Sequence, residues 1–327
     1  MRSPRGSIPS TTTENSPDNK IRGPECAQYE TAQQIRAGHS VPISLRSAVP
    51  NTDVSSDGTG TYTSEKPSFP FQLSQYFLTE LDPRRADVIL ILCGFVGGLV
   101  DGLSFNAWGS FSSMQTGNTV FIALGVSGQP EYPAFLWAKS LIALSVFLSS
   151  NVFFIHLGRA LKTLRRSTLI LSFGLQTAAL IVSASVVQAG IVSPKPEDPR
   201  APIHWNQIIP ITLLAFQAAG QIVASRLLAF DEIPTVVLTT LLCDLLVDTN
   251  LYTRPWSANP KRNRRIAAFL ALFLGAMTAG GLSKTTSMAS GLWLAVALKG
   301  SITLSWFVWR DTSGAVTPKQ SSEESPV

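Results

Sequence analysis

The 327-residue chain carries 26 Lys/Arg against 21 Asp/Glu, and its charge is unevenly placed. The first 80 residues hold 7 basic and 8 acidic side chains, whereas the remainder holds 19 and 13, a net of +6 in short clusters beside apolar runs. That placement fits membrane topology and argues against nucleic-acid binding. Three distant cysteines, Cys26, Cys93 and Cys243, give neither a disulfide framework nor a zinc site.

Residues 1–66 are rich in Ser, Thr, Pro, Asn and Gly and cannot bury enough apolar surface to offset chain entropy, which predicts a disordered tail. Arg2 and Arg5 are compatible with a transit peptide, but Glu14, Asp18, Glu25 and Glu30 argue against one. No apolar leader is visible in the first 80 residues, so the first membrane helix is expected to serve as the targeting signal. A juxtamembrane segment follows at 67–86. Within it FPFQLSQYFLTEL at 69–81 reads either as an amphipathic helix lying on the membrane surface or as a plain hydrophobic linker.

From residue 87 long apolar runs alternate with short polar joints. Six runs, at 87–108, 134–158, 167–191, 205–230, 265–282 and 288–309, are long enough to cross a hydrocarbon core of about 30 Å. Two others, 116–128 and 233–247, reach only about 20 Å as straight helices. The expected fold is therefore an all-α integral membrane protein over 87–310, with six long transmembrane helices, two short helices and a disordered tail at 311–327.

Positive charge orients the helices. Arg84 and Arg85, the 159–166 loop, the 252–265 loop and Arg310 all mark cytoplasmic ends, which puts both termini in the cytoplasm. Each short run then has both ends on one side and should be re-entrant, the first from outside and the second from inside. Thr116 and Thr239, 123 residues apart, head similar stretches (MQTG at 114–117, VLTT at 237–240), and LVDG at 99–102 can be set against AGQI at 219–222. The halves 87–191 and 205–310 start on opposite sides. This predicts an inverted repeat, an architecture of many secondary transporters with binding sites near the bilayer midplane.

Candidate functional residues follow from that plan. Gly94, Gly98 and Gly102 form a small-residue stripe for close helix packing. Asp101, beside that stripe, is either a proton- or cation-responsive carboxylate or half of an ion pair with Lys299 or Arg226. Gln115, Thr116, Asn118 and Thr119 open the first short helix, where they line a polar site or merely cap the helix. Thr239, Thr240 and Asp244 on the second short helix complete the pathway set, while Asp248 reads as a solvated end charge. Gln176, Gln217 and Gln221 fit interhelical hydrogen bonds, and Lys139 fits snorkelling to the interface. No catalytic motif, metal site or cofactor fingerprint is present.

These stretches resemble the YoaK-like membrane proteins (domain of unknown function 1275), their fungal-type members in particular. The resemblance rests on GLVDGLSF at 98–105, SMQTGNTVF at 113–121, LLAFQAAGQIVASRLLAFDEIPTVVLT at 213–239 and KRNRR at 261–265. It implies an integral membrane protein over about 75–310 and brings no substrate or catalytic residue. The leading functional expectation is a small-solute or ion transporter, or a channel-like protein, working in a lipid bilayer without nucleic acid. The alternative is a membrane accessory or scaffold protein, or a membrane enzyme of unknown reaction.

Overall fold

A computed structural model describes residues 69–129, 135–192 and 203–312. The tails expected over 1–66 and 311–327 lie outside these residues, apart from 311 and 312. The described residues form nine α-helices: α1 (Phe69–Leu78), α2 (Ala86–Trp108), α3 (Gln115–Val126), α4 (Leu136–Leu161), α5 (Arg166–Gln188), α6 (Ile208–Leu227), α7 (Leu238–Leu246), α8 (Pro260–Thr285) and α9 (Met288–Ser305). Among them α2, α4, α5, α6, α8 and α9, some extended by a short 3₁₀ turn, are long and apolar enough to span a membrane. The chain is thus an all-α, multi-pass membrane protein.

The six long helices alternate in direction. One end of the bundle gathers the start of α2, the α4–α5 joint, the segments after α6 and before α8, and the end of α9. There the Leu81 amide donates to the Leu164 carbonyl at 2.9 Å, and Arg166 donates to the Trp309 carbonyl at 2.8 Å. Arg264 bridges Asp87 at 2.9 Å and Glu232 at 2.8 Å. We call this the basic end. At the opposite end Lys139 donates to the Trp108 carbonyl and Gln207, and Trp293 donates to Gln188. Lys139 is buried there, so its ammonium is drawn into the helix ends rather than out to the interface.

Close packing centres on α2, the most buried span together with α6. It runs alongside α8, and α6 runs alongside α4, each as a parallel pair; α5 faces α9. Gly98 makes the α2–α8 contact possible, because a Cβ there would lie 2.0 Å from the Leu272 carbonyl oxygen. Small residues at such crossings let backbones approach and gain dispersion contact where no hydrophobic drive exists. Gly94 and Gly102 belong to the same seam, facing Ala268 and Ala279. Two apolar clusters fill the bundle: Leu90, Phe173, Ile302 and Trp306 toward the basic end, and Leu99, Leu103, Ile211 and Leu292 toward the other.

Candidate functional site

The short helices start inside the bundle. After α2 ends at Trp108, Gly109 takes a left-handed conformation (φ 70°) and the chain folds back. Ser112 and Ser113 then reach Asp101, seven residues before the end of α2 and thus about 10 Å into the bundle. From there α3 runs outward until Gly125 abuts the Trp137 ring at the start of α4. The second short helix does the reverse. The chain leaves α6 at the basic end, and the Thr235 carbonyl lies 3.0 Å from where a Cβ of Gly97 would stand. Gly97 is about 16 Å along α2 from its start. α7 then runs back toward the basic end, where Asp248 meets Asn259 at 2.9 Å and Arg265 at 3.5 Å. Gly97 and Asp101 are one turn apart on the same face of α2, so the two lead-ins arrive side by side from opposite ends.

The first lead-in is a closed polar knot. Asp101, 2% exposed, accepts the Ser112 amide at 2.8 Å, the Ser112 hydroxyl at 2.7 Å, the Ser113 amide at 2.8 Å and the Ser113 hydroxyl. A carboxylate offers about four acceptor sites, and four donors converge on it here. Asn118, fully buried, accepts the Phe111 amide at 3.1 Å and donates to the Phe111 carbonyl at 2.7 Å and to Gln115 at 2.9 Å. Gln115 donates in turn to the Ser112 carbonyl at 2.9 Å, and Ser104 to the Ser110 carbonyl at 2.8 Å. The sequence weighed Lys299 and Arg226 as ion-pair partners of Asp101. The structure corrects this: Lys299 turns to Gln221, and Arg226 pairs with Asp231 at 3.2 Å. Backbone amides and hydroxyls replace the cation because the 109–113 turn delivers four donors to one carboxylate.

The second lead-in is less complete. Ile233, Pro234, Thr235 and Val236 are buried. Thr235 has φ 57°, a left-handed conformation uncommon for a β-branched residue, and its buried hydroxyl has no hydrogen-bond partner among the described residues. Beside it Gln221 donates to the Cys93 carbonyl at 2.8 Å and accepts from the Lys299 ammonium at 2.7 Å. Lys299 is fully buried, reaches the Cys93 thiol at 3.9 Å and lies 5.5 Å from the centre of the Phe173 ring. Buried ammonium groups are expensive unless paired, and such intramembrane charges are functional candidates.

Of the residues singled out from the sequence, the structure thus brings together Asp101, Gln115 and Asn118. Thr116 and Thr119 lie on the exposed face of α3; Thr239, Thr240 and Asp244 lie on the exposed face of α7, away from Asp101's knot. Thr235 is one of the threonines, with Thr239 and Thr240, that echo the first polar set at the head of the second short run, whereas Cys93 entered without a strong sequence signal. Lys299 had one, a lone lysine in an apolar span. Ser110, Ser112 and Ser113 stand in a serine run after Gly109 that was legible as a polar turn but not as a carboxylate cradle. Outside the spans, Asp248 is no freely solvated charge: the Asn259 amide and the Asn250 backbone N–H hold its carboxyl below the usual carboxylate range.

The model of a family described as protein of unknown function (DUF1275) matches residues 89–305, more than half of the chain and all six spans in whole or large part. No curated protein and no solved structure matches.

Proposed function

This chain belongs to the DUF1275 family, and we propose that it is a small-solute or ion transporter, or a channel-like protein, whose polar site lies between its two short helices. The observation that carries the reading is the meeting of two lead-ins, from opposite ends, one turn apart on α2 at Gly97 and Asp101. Irregular backbone at membrane depth is tolerated where protein buries it or where it borders a cavity, and transporter sites are built from such half-helices.

The halves are related as an inverted repeat in this reading. Support comes from the packing: exchanging α2 with α6, α3 with α7, α4 with α8 and α5 with α9 turns every neighbouring pair of these eight helices into another neighbouring pair. Asp101, Gln115 and Asn118 hold the first lead-in; Gln221, Lys299 and Thr235 form the second side of the site. Thr116 and Thr119 line the approach from one face, and Thr239, Thr240 and Asp244 the approach from the other. The basic end is cytoplasmic, which places both termini there.

The test is cysteine accessibility along 114–126 and 234–246 with membrane-impermeant reagents, in a background where Cys26 and Cys243 are Ser. Labelling of the first segment from one face and of the second from the other, each fading toward Ser113 or Thr235, is the expected result. Labelling of either segment's two ends from opposite faces means that it crosses the membrane, and the reading fails. Uptake of small solutes by liposomes containing the protein, against empty liposomes, then tests the transport itself.

A further inference from the structure

Where α2 begins and α9 ends, the chain builds a cavity of about 370 Å³ lined by Asp82, Arg84, Arg85, Val308, Trp309 and Arg310. Its floor is fixed by hydrogen bonds. The Asp82 amide donates to the Arg310 carbonyl at 3.1 Å, and the Trp309 indole N–H donates to the Asp82 carbonyl at 2.8 Å. The Asp82 carboxylate accepts the Arg84 amide at 3.0 Å and so caps the turn leading into α2. That carboxylate is already engaged, and it is 3.9 Å from an Arg84 side chain that is 81% exposed. Arg85 and Arg310 form no ion pair among the described residues. Three guanidinium groups against one carboxylate leave two positive charges uncompensated around one cavity.

The surroundings say what kind of anion fits. The cavity sits at the end of two membrane-spanning helices, next to Val308, an apolar side chain that is 84% exposed. Trp309 lies in its wall, the residue type that settles at the headgroup level of a bilayer. Guanidinium forks take phosphate oxygens in pairs, and basic pockets between transmembrane helices hold anionic headgroups. At about 30 Å³ for each water in the liquid, the volume holds roughly a dozen water-sized groups, more than a phosphate alone fills.

We infer that this cavity is a binding site for an anionic phospholipid whose headgroup carries a phosphomonoester on a polyol. The phosphomonoester brings up to two negative charges to the two uncompensated positive ones, the polyol fills the remaining volume, and the acyl chains descend past Val308. The site stands whether or not the protein carries a solute, because it depends only on the membrane-spanning helices.

The experiment uses the full-length protein purified in detergent, with thermal unfolding read against added dioctanoyl phosphatidylinositol phosphate. The expected result is a saturable rise in Tm that dioctanoyl phosphatidylcholine does not produce. Arg85→Gln and Arg310→Gln, both at exposed positions, should each weaken the apparent affinity about ten-fold or more, the factor for losing a charged hydrogen bond. Arg226→Gln, at the same end but outside the cavity, should leave it unchanged. Equal stabilisation by phosphatidylcholine overturns the charge argument. Equal affinity for free inositol phosphate or inorganic phosphate overturns the lipid as the source. A Tm rise that survives in the double variant R85Q/R310Q overturns the location, and no rise in the wild type overturns the site itself.

Discussion

Removing the Asp101 carboxylate is expected to unfasten the first lead-in, and the size of the effect follows from its four hydrogen bonds. In Asp101→Ala the Ser112 and Ser113 hydroxyls can rotate toward other acceptors, but their backbone N–H groups cannot. Each buried, unsatisfied N–H costs about 1–3 kcal/mol, so the loss should be about 2–6 kcal/mol. Asp101→Asn keeps one oxygen for the two backbone donors and turns an amide toward the Ser113 hydroxyl, which must then accept. It loses the charge assistance and should cost less, about 1–2 kcal/mol. The assay is unfolding in detergent followed by a thiol-reactive dye, in a background where Cys26 and Cys243 are Ser, so that only the buried Cys93 reports. An Ala variant as stable as the wild type, or an Asn variant worse than Ala, would refute the cradle as the role of this carboxylate.

Three further outcomes are expected. Gly98→Ala should destabilise by about 1–3 kcal/mol or more in the same assay, since its Cβ meets backbone 2.0 Å away, whereas Gly174→Ala, where nothing lies within 4 Å, should stay within about 0.5 kcal/mol of the wild type. Gln221→Leu strands the Lys299 ammonium and should cost about 2 kcal/mol or more; adding Lys299→Met should recover part of that loss, and strict additivity would mean that the two do not interact. Asp248 has a folded pKa below its unfolded value, so its contribution is present above about pH 4 and is lost as pH falls through the folded pKa. The stability gap between wild type and Asp248→Asn, read by unfolding at neutral pH and again near pH 3, should therefore close on acidification.

Fold and site were legible to different depths, for physical reasons. A span announces itself by composition, because about 20 apolar residues in a row have few other uses, and all six spans were readable from that alone. The short helices were readable as too short to cross. What the sequence could not supply was which donors meet which acceptors. Asp101 invited a cation because an intramembrane acid usually needs a counter-charge, yet its partners stand 11 and 12 residues downstream in a serine turn whose fold-back depends on the left-handed Gly109. The cations at 262–265 were readable only as topology markers. In the structure Arg262 is 2% exposed and donates to the carbonyls of Leu251, Thr253 and Trp256, so it also builds the loop that its charge marks. One charge can satisfy a global rule and a local one together, and hydropathy reports only the first.

Under the proposed repeat, the two halves place different chemistry at matching positions. Asp87 and Gln207 are 120 residues apart, as are Asp101 and Gln221. Asp87 at the start of α2 accepts Arg264 from α8, and Gln207 at the start of α6 accepts Lys139 from α4, so a cation crosses between halves at each end of the bundle. In both pairs of positions the first half has a carboxylate and the second a neutral amide. At Asp101 the carboxylate consumes the donors of its own turn; at Gln221 the amide is engaged by Lys299 and Cys93, and the Thr235 hydroxyl of the adjoining turn has no partner among the described residues. Of the two lead-ins, then, one is closed on itself and the other keeps an open hydroxyl at Thr235. Under the proposed function, a solute between the short helices would find its free hydrogen-bonding group at the Thr235 hydroxyl, because the Asp101 carboxylate is already filled by the donors of its own turn.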